Sequence, residues 1–306
     1  MEDKEQILIE KIEELNSEYL NSDYYSLGKH ISYLRNLLKK KKYITFMKMI
    51  LLHLRNRNKK SLNTNQDDEK LNNNKKYVIK QDENKKIVVY TCITGKYDKV
   101  EEPLVTESNC DYVLFTNNKE LKSDIWQIKE IPKDIENLKD NIIINRYIKM
   151  HPSELFKKYD YSIYIDGNIK IISKISHFIK YINNENGLAI HRHCVNNCIY
   201  KEINTCIAFG KGNRKMLKKQ YRRYRKENFP KEFGMVECNV LVSDLNNDNQ
   251  KKIFDGWWNE YLISESKRDQ ISLPYIIWKN NYRIEQIGIL GKNVNKNKYL
   301  KINSHN

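Results

Sequence analysis

The sequence predicts an α/β fold: a mixed sheet flanked by helices, with an N-terminal helical arm. Three observations lead there. From residue 87 onward, short apolar runs such as "KIVVYTCITG" alternate with helical stretches, the pattern of strands interleaved with helices. Ahead of them, residues 1–60 place Leu27, Ile31, Leu34 and Leu38 at helical spacing. Between the two regions, "SLNTNQDDEKLNNNKKYVIKQDENKK" is polar and Asn/Lys-rich, which reads as a linker over residues 61–86.

Taken in order, the arm is a strongly basic element. Lys+Arg 55 against Asp+Glu 39 gives the 306-residue chain a formal charge of +16. Eleven of those positive charges, with no acid among them, fall between Tyr24 and Gln66. The arm's "ITFMKMILLHL" sets apolar residues between Lys/Arg flanks, which suits either a helix packed on the main domain or one lying on an anionic membrane surface. Lys48 and His53 interrupt that run, and no segment approaches the ~20 apolar residues of a membrane span. The acidic start "MEDKEQ" lacks the basic n-region of a secretory signal, so a cytoplasmic location is expected, with peripheral membrane attachment as an option. Six scattered cysteines suit buried thiols in a reducing compartment better than a disulfide framework.

The main domain is expected over residues 87–290. "KIVVYTCITG", "DYVLFTN", "IWQIKEI", "YSIYI", "GLAIHRH" and "VECNVLVSDL" read as strands. "NLKDNIIINRYIKM", "NRKMLKKQYRRYRKE", "NQKKIFDGWWNEYLI" and "RDQISLPYIIWKN" read as helices. "YSIYIDGNIKI" alternates apolar and polar residues about a central Asp-Gly, which predicts a hairpin. The tail over residues 291–306 reads as loose. In such a sheet a ligand site lies at the carboxyl ends of the strands.

Several residues there can carry chemistry. "TCITGKYDK" is a glycine-containing turn at a strand end, but it matches neither G-x-G-x-x-G nor G-x-x-x-x-G-K-[ST], which argues against dehydrogenase and P-loop readings. Thr116 and Asn117 end the second strand in a matching position. Arg146 and Lys149, three apart on one helix face, can point together at a phosphate or form a solvated basic face. Asp166 and Asn168 offer two hard oxygens to Mg²⁺ or Mn²⁺, or Asp166 only forms the turn. "HRHCVNNC" sets His191 and His193 before Cys194 and Cys198, but the spacing is not that of a recognised zinc finger.

The segment around Asp166 resembles the DXD region of GT-A glycosyltransferases. The wider set of landmarks resembles the TOD/MUCI-like glycosyltransferase family, which includes plant proteins of pollen-tube turgor and seed mucilage and bacterial surface-glycan enzymes. Those landmarks are "YTCITGKYD", "DYVLFTN", Trp126, Arg146, Lys149 and Pro152, "YSIYIDGNI", His191, "CIYKE", "FGMVECNVLV" and "WW" followed by "SKRDQIS". Together they span residues 87–282. The resemblance implies a GT-A-like (Rossmann-like) sheet with a nucleotide-sugar donor at the strand ends. Thr91, Thr94, Gly95, Tyr97, Asp98 and Thr116 would serve on the nucleotide side, with Arg146, Lys149 and Asp166 at the diphosphate. It implies Mn²⁺ or Mg²⁺ at Asp166 and Asn168, with Asn168 departing from the second Asp of many such enzymes.

On the sugar side a carboxylate is needed, as a base or as a stabiliser of the oxocarbenium-like centre, and Asp269 and Glu237 are the choices. Asp269 could equally cap the helix that follows it. His191, Arg192, Glu202, Trp257, Arg268 and Gln270 are expected around the acceptor or sugar. The implied acceptor is a surface glycan or a lipid-linked one. Two rivals stand beside this reading: a nucleic-acid-binding protein using "KGNRKMLKKQYRRYRKE", and a catalytically inactive scaffold that binds nucleotide sugars.

Overall fold

The structure, a computed structural model, describes residues 85–193 and 196–304. The helical arm, nearly all of the linker and Cys194 lie outside the described residues.

Three apolar runs and one polar edge strand form the parallel half of the sheet: β1 (Ile87–Ile93), β2 (Cys110–Thr116) and β4 (Tyr161–Ile165), with β3 (Gln127–Glu130) at the edge. The remaining strands are β5 (Ile169–Ile171), β6 (Leu188–Arg192), β7 (Val236–Asp244), β8 (Gly288–Ile289) and β9 (Leu300–Ile302). The main sheet has seven strands in the order β3-β2-β1-β4-β7-β6-β8. Only β7 runs against its neighbours. The α/β class with a mixed sheet flanked by helices is therefore observed as expected.

Every residue of β1 and β4 is buried, because both sheet faces are covered. On one face Val88, Tyr90 and Cys92 meet a large core, and on the other Ile87, Val89 and Ile93 meet a smaller one. The larger core is supplied by α2 (Asn141–Met150), α4 (Ile199–Ala208), α5 (Arg214–Lys226), α6 (Asp248–Ser264) and α7 (Asp269–Lys279). Two one-turn helices, α1 (Lys133–Glu136) and α3 (Pro152–Leu155), bracket α2. The smaller core includes Val294 and Leu300 from the C-terminal segment.

Two expectations are corrected. The Asp-Gly hairpin does not form, because β4 already has β1 on one side and β7 on the other and offers no edge to a returning strand. The chain instead leaves the main sheet at Asp166, and β5 pairs antiparallel with β9. Gly167 is required by space: a Cβ there would lie 2.8 Å from Ile93 Cγ1. The tail expected to be loose is built in, with β9 on β5 and Val294 and Leu300 buried.

Five of the cysteines, Cys92, Cys110, Cys198, Cys206 and Cys238, are buried free thiols, as expected. Among the described residues no helix is long and apolar enough to cross a membrane.

Candidate active site

The carboxyl ends of β1, β2 and β4 share one edge of the sheet, and α2 begins there. Asp140 caps α2 by accepting from the backbone N–H groups of Ile142 and Ile143, and Lys267 pairs with its other oxygen at 2.7 Å. Gly95 N–H donates to Asn117 Oδ1 at 2.7 Å, and Asn117 Nδ2 donates to Asn141 Oδ1 at 2.9 Å. Gly95 sits at φ +61°, so the turn after β1 uses glycine's freedom as well as its small size.

One turn and two turns into α2, Arg146 and Lys149 project together, as their spacing predicts, but their target is a carboxylate. Lys149 Nζ lies 2.7 Å from Asp269 Oδ2 and 3.5 Å from Asp166 Oδ1, and Arg146 Nε lies 3.1 Å from the same Asp269 oxygen. Lys149 is 1 % exposed. Such burial of an ammonium is tolerable only because its charge is met by paired acids. Its ammonium also stands 5.1 Å from the centre of the Tyr164 ring, and Tyr164 OH donates to Asp166 Oδ1 at 2.9 Å. Trp257 Nε1 and Ser272 Oγ both donate to the Asp269 carbonyl at 2.9 Å, which fixes the start of α7.

The electrostatics follow from this packing. Burial alone would raise the Asp269 carboxyl, but Arg146 and Lys149 overcome it and hold the group well below the usual carboxylate range. Burial likewise works against the Arg146 charge, and Asp269 and Asp166 more than compensate. Asp269 is thus a fixed anion and a poor proton acceptor. It does not cap α7: Arg268 occupies the N-cap position, and no side chain supplies a cap bond.

Other sequence-derived residues fall elsewhere. Glu237 points to the opposite sheet face from its neighbours Val236 and Cys238, and its Oε2 accepts from Val294 N–H at 2.9 Å. Its cross-strand neighbour His191 is fully buried, with Nε2 2.8 Å from Asn297 Nδ2. These two side chains hold the C-terminal segment and do not join the Asp269 cluster.

Trp257, expected around the acceptor or sugar, is 0 % exposed and sits behind Asp269, so that expectation is corrected. Thr91 is inside β1 rather than in the turn. Glu202 is buried and accepts from Asn196 Nδ2 at 2.6 Å. Thr116 Oγ1 accepts from Asn118 N–H, and Thr94 Oγ1 donates to the Asn141 carbonyl, so both shape the rim. Asp98 lies beside Gly167, and Tyr97 is exposed. Gln270 Nε2 donates to the Val236 carbonyl, and Arg268 reaches Gln270 Oε1 at 3.4 Å, while Arg192 is half-buried at the end of β6.

Asn141, Tyr164 and Lys267 join the site without having been singled out for it, whereas Asn117 was marked by its place at the end of β2. Among the described residues no group of three His, Cys, Asp or Glu side chains could hold a metal.

The profile of the TOD1/MUCI70 glycosyltransferase-like domain matches residues 56–305. Similar solved structures include mouse xyloside xylosyltransferase 1 in its apo form, at 11 % identity and a TM-score of 0.40, covering 67 % of this chain and 84 % of that one. The apo WbbM bifunctional glycosyltransferase is similar at 11 % identity and a TM-score of 0.36, covering 67 % of this chain and 38 % of that one. A short stretch of 51 residues, 17 % of this chain, is 38 % identical to the Ypt/Rab-type GTPase avaA of Emericella nidulans. This chain spans about a quarter of the length of the curated relatives it matches.

Proposed function

Because the chain belongs to the TOD1/MUCI70 glycosyltransferase-like family, we propose that it transfers a sugar from a nucleotide-diphosphate donor to a surface-glycan or lipid-linked acceptor. The observation that carries this reading is the cluster of buried Lys149 and Asp269 with half-buried Arg146 and Asp166 at the carboxyl edge of the sheet. Two cations and two anions cancel there, so the cluster has no surplus positive charge for a diphosphate.

The missing charge fits a divalent cation. Asp166 spends Oδ1 on Tyr164 and Lys149, while Asn168 Nδ2 donates to the Asn303 carbonyl at 2.9 Å. Asp166 Oδ2 and Asn168 Oδ1 thus have no partner among the described residues, and both are hard oxygen donors of the kind Mn²⁺ and Mg²⁺ take. Bound there with the donor, such an ion would supply positive charge to the departing diphosphate.

The chain's own residues do the rest. Lys149 spans the two acids, so Asp166 and Asp269 stay in fixed relation while donor charge shifts between ground and transition states. Asp269, held ionised, stabilises positive charge developing at the sugar carbon and orients rather than deprotonates. Gly95, Asn117 and Asn141 form the rim on which the nucleotide rests. The basic arm of residues 24–60 would dock the enzyme on anionic membrane near a lipid-linked acceptor.

The test is a thermal shift and a donor-hydrolysis screen. Uridine diphosphate with Mn²⁺ should raise the melting temperature of wild type but not of Asp166→Ala, and a panel of nucleotide sugars should yield free nucleoside diphosphate only with wild type. No hydrolysis of any donor together with intact nucleotide binding would favour the inactive scaffold, and stabilisation by single-stranded RNA instead would favour the nucleic-acid reading.

A further inference from the structure

Residues 290–304 are tied along the edge of the sheet at which β6 ends and β7 begins. Arg192 N–H donates to the Gly291 carbonyl at 3.2 Å, Val294 N–H donates to Glu237 Oε2 at 2.9 Å, and Asn297 Nδ2 lies 2.8 Å from His191 Nε2. Asn297 Oδ1 accepts from Tyr299 N–H at 3.0 Å, and the Tyr299 carbonyl accepts from Ile172 N–H at 3.0 Å, just past β5. Val294 and Leu300 pack into the smaller core. Glu237 and His191 are buried, and polar side chains of that kind are costly to bury unless they are hydrogen-bonded. Both bond this segment, so its course is fixed.

The segment leads to Asn168. β5 pairs with β9 from Ile169 opposite Ile302 to Ile171 opposite Leu300, and the pairing continues one position beyond the strands. Asn303 N–H donates to the Asn168 carbonyl at 2.8 Å, and the Asn303 carbonyl accepts from Asn168 Nδ2 at 2.9 Å. A side-chain amide has an oxygen end and a nitrogen end of nearly equal size, and the bond made by one end decides where the other points. A backbone carbonyl can only accept, so Asn303 holds the nitrogen end and leaves Asn168 Oδ1 as the outward one. β5 and β9 are three residues each, and so short a two-stranded ribbon is marginal by itself. The bonds from Glu237, His191 and Ile172 keep it in register.

We propose that Asn303, through its backbone, is a positioning residue for the cation site: the C-terminal segment orients the Asn168 amide so that its oxygen, together with the Asp166 carboxylate, faces a divalent cation. The inference rests on the cation reading of Asp166 and Asn168 given above, and it adds a third element, remote in sequence, on which that site depends. Groups that bond a metal ligand from behind fix its orientation and tune its affinity for the ion, and Asn303 stands in that relation to Asn168. It also gives Glu237 and His191 a part in the site without contact to the ion, because they hold the segment that ends on Asn168.

The test titrates Mn²⁺ into the full chain, alone and with uridine diphosphate, and follows its uptake by calorimetry after subtraction of Mn²⁺ binding by the free nucleotide. Asn303→Pro removes the N–H that bonds Asn168 and should weaken Mn²⁺ binding ~10- to 100-fold, the range for loss of a group that orients a metal ligand. Asn303→Ala keeps both backbone bonds and should bind Mn²⁺ as wild type does. A merely structural role would lower the melting temperature of Asn303→Pro without moving its Mn²⁺ affinity, and that result overturns the proposal. Equal weakening by Asn303→Ala overturns it too, since the side chain and not the backbone would then be responsible. Should Asn303→Pro fail to fold, Asn297→Ala takes its place, because it frees the segment from His191 and Tyr299 and leaves Asn303 intact. Weaker Mn²⁺ binding by that variant supports the proposal, and wild-type binding overturns it. A wild-type chain that takes up no Mn²⁺ under either condition overturns the cation reading itself, and this proposal with it.

Discussion

The Lys149 ammonium lies 2.7 Å from the Asp269 carboxylate, and the two residues, 120 positions apart in sequence, are both buried. Their pairing joins α2 to the first turn of α7 across the carboxyl edge of the sheet. It also sets the charge state of the site, because Asp269 is kept ionised by a lysine that has no access to water. A buried pair of this kind is costly to break and modest in net worth when formed, since desolvation opposes the attraction.

Lys149→Met should therefore destabilise the protein by ~3 kcal/mol, mostly through the uncompensated charges left on Asp269 and Asp166. Adding Asp269→Leu to it should recover part of that loss without recovering turnover. Urea unfolding of the two single variants and the double variant measures the coupling. Simple additivity would show that the pair does not hold the site together.

The pH dependence of stability should carry the mark of His191. Burial pushes its imidazole down to about 3, from an ordinary value of ~6.5, so the folded state favours the neutral ring. Between those values the unfolded chain binds the additional proton, so stability is full above ~6.5 and is lost as pH falls toward 3, by at most ~1.4 kcal/mol per pH unit. His151 and His177 are shifted in the same direction, also by burial, and add to the slope. His191→Gln keeps an acceptor for Asn297 Nδ2 and does not titrate. Its melting temperature should fall less steeply than that of wild type between pH 6.5 and 4.5. Parallel profiles would assign the acid sensitivity to other groups.

The strands were legible in the sequence because apolar runs such as "IVVYTCI" are buried on both faces and need no partner to be recognised. The Asp-Gly turn misled because a local hairpin signal cannot show that β4 already has two neighbours, and the tail misled because β9 is three residues long and the segment packs through Val294, ahead of β9, and Leu300, whose partners are distant in sequence. Arg146, Lys149, Asp166 and Asp269 were all visible as site residues. What sequence spacing could not show is that the two basic residues face an acid from the far end of the domain, so that a pair read as a phosphate clamp is neutral before any donor arrives. Long-range charge pairing leaves no periodicity to read.

Asn168→Asp separates the metal reading from a purely structural one. The new carboxylate adds a charged oxygen beside Asp166, and Mn²⁺ should bind tighter in the absence of nucleotide. It also loses the donor that holds the Asn303 carbonyl, a change worth ~1 kcal/mol of stability. Mn²⁺ titration followed by calorimetry, alongside a thermal melt, reports both. Lower stability with no gain in Mn²⁺ affinity would mean that Asn168 serves only to anchor the C-terminal segment.

Asp269→Asn tests the chemistry most directly, and the geometry changes what it should do. If Asp269 were an N-terminal cap, asparagine would replace it at a cost under ~1 kcal/mol, because the two cap helices about equally well. The carboxylate instead faces Lys149 and Arg146, and the isosteric amide removes the anion that buried Lys149 and half-buried Arg146 share. Stability should therefore fall by ~3 kcal/mol, close to the loss in Lys149→Met. Turnover should fall at least ~100-fold, as expected when a fixed charge that stabilises the transition state is removed. Because Asp269 is held ionised far below neutral pH, the residual rate of the variant should keep the pH profile of wild type on its acid side. Loss of an acid limb in the variant would identify Asp269 as the titrating base, and near wild-type turnover would show that Asp269 is structural.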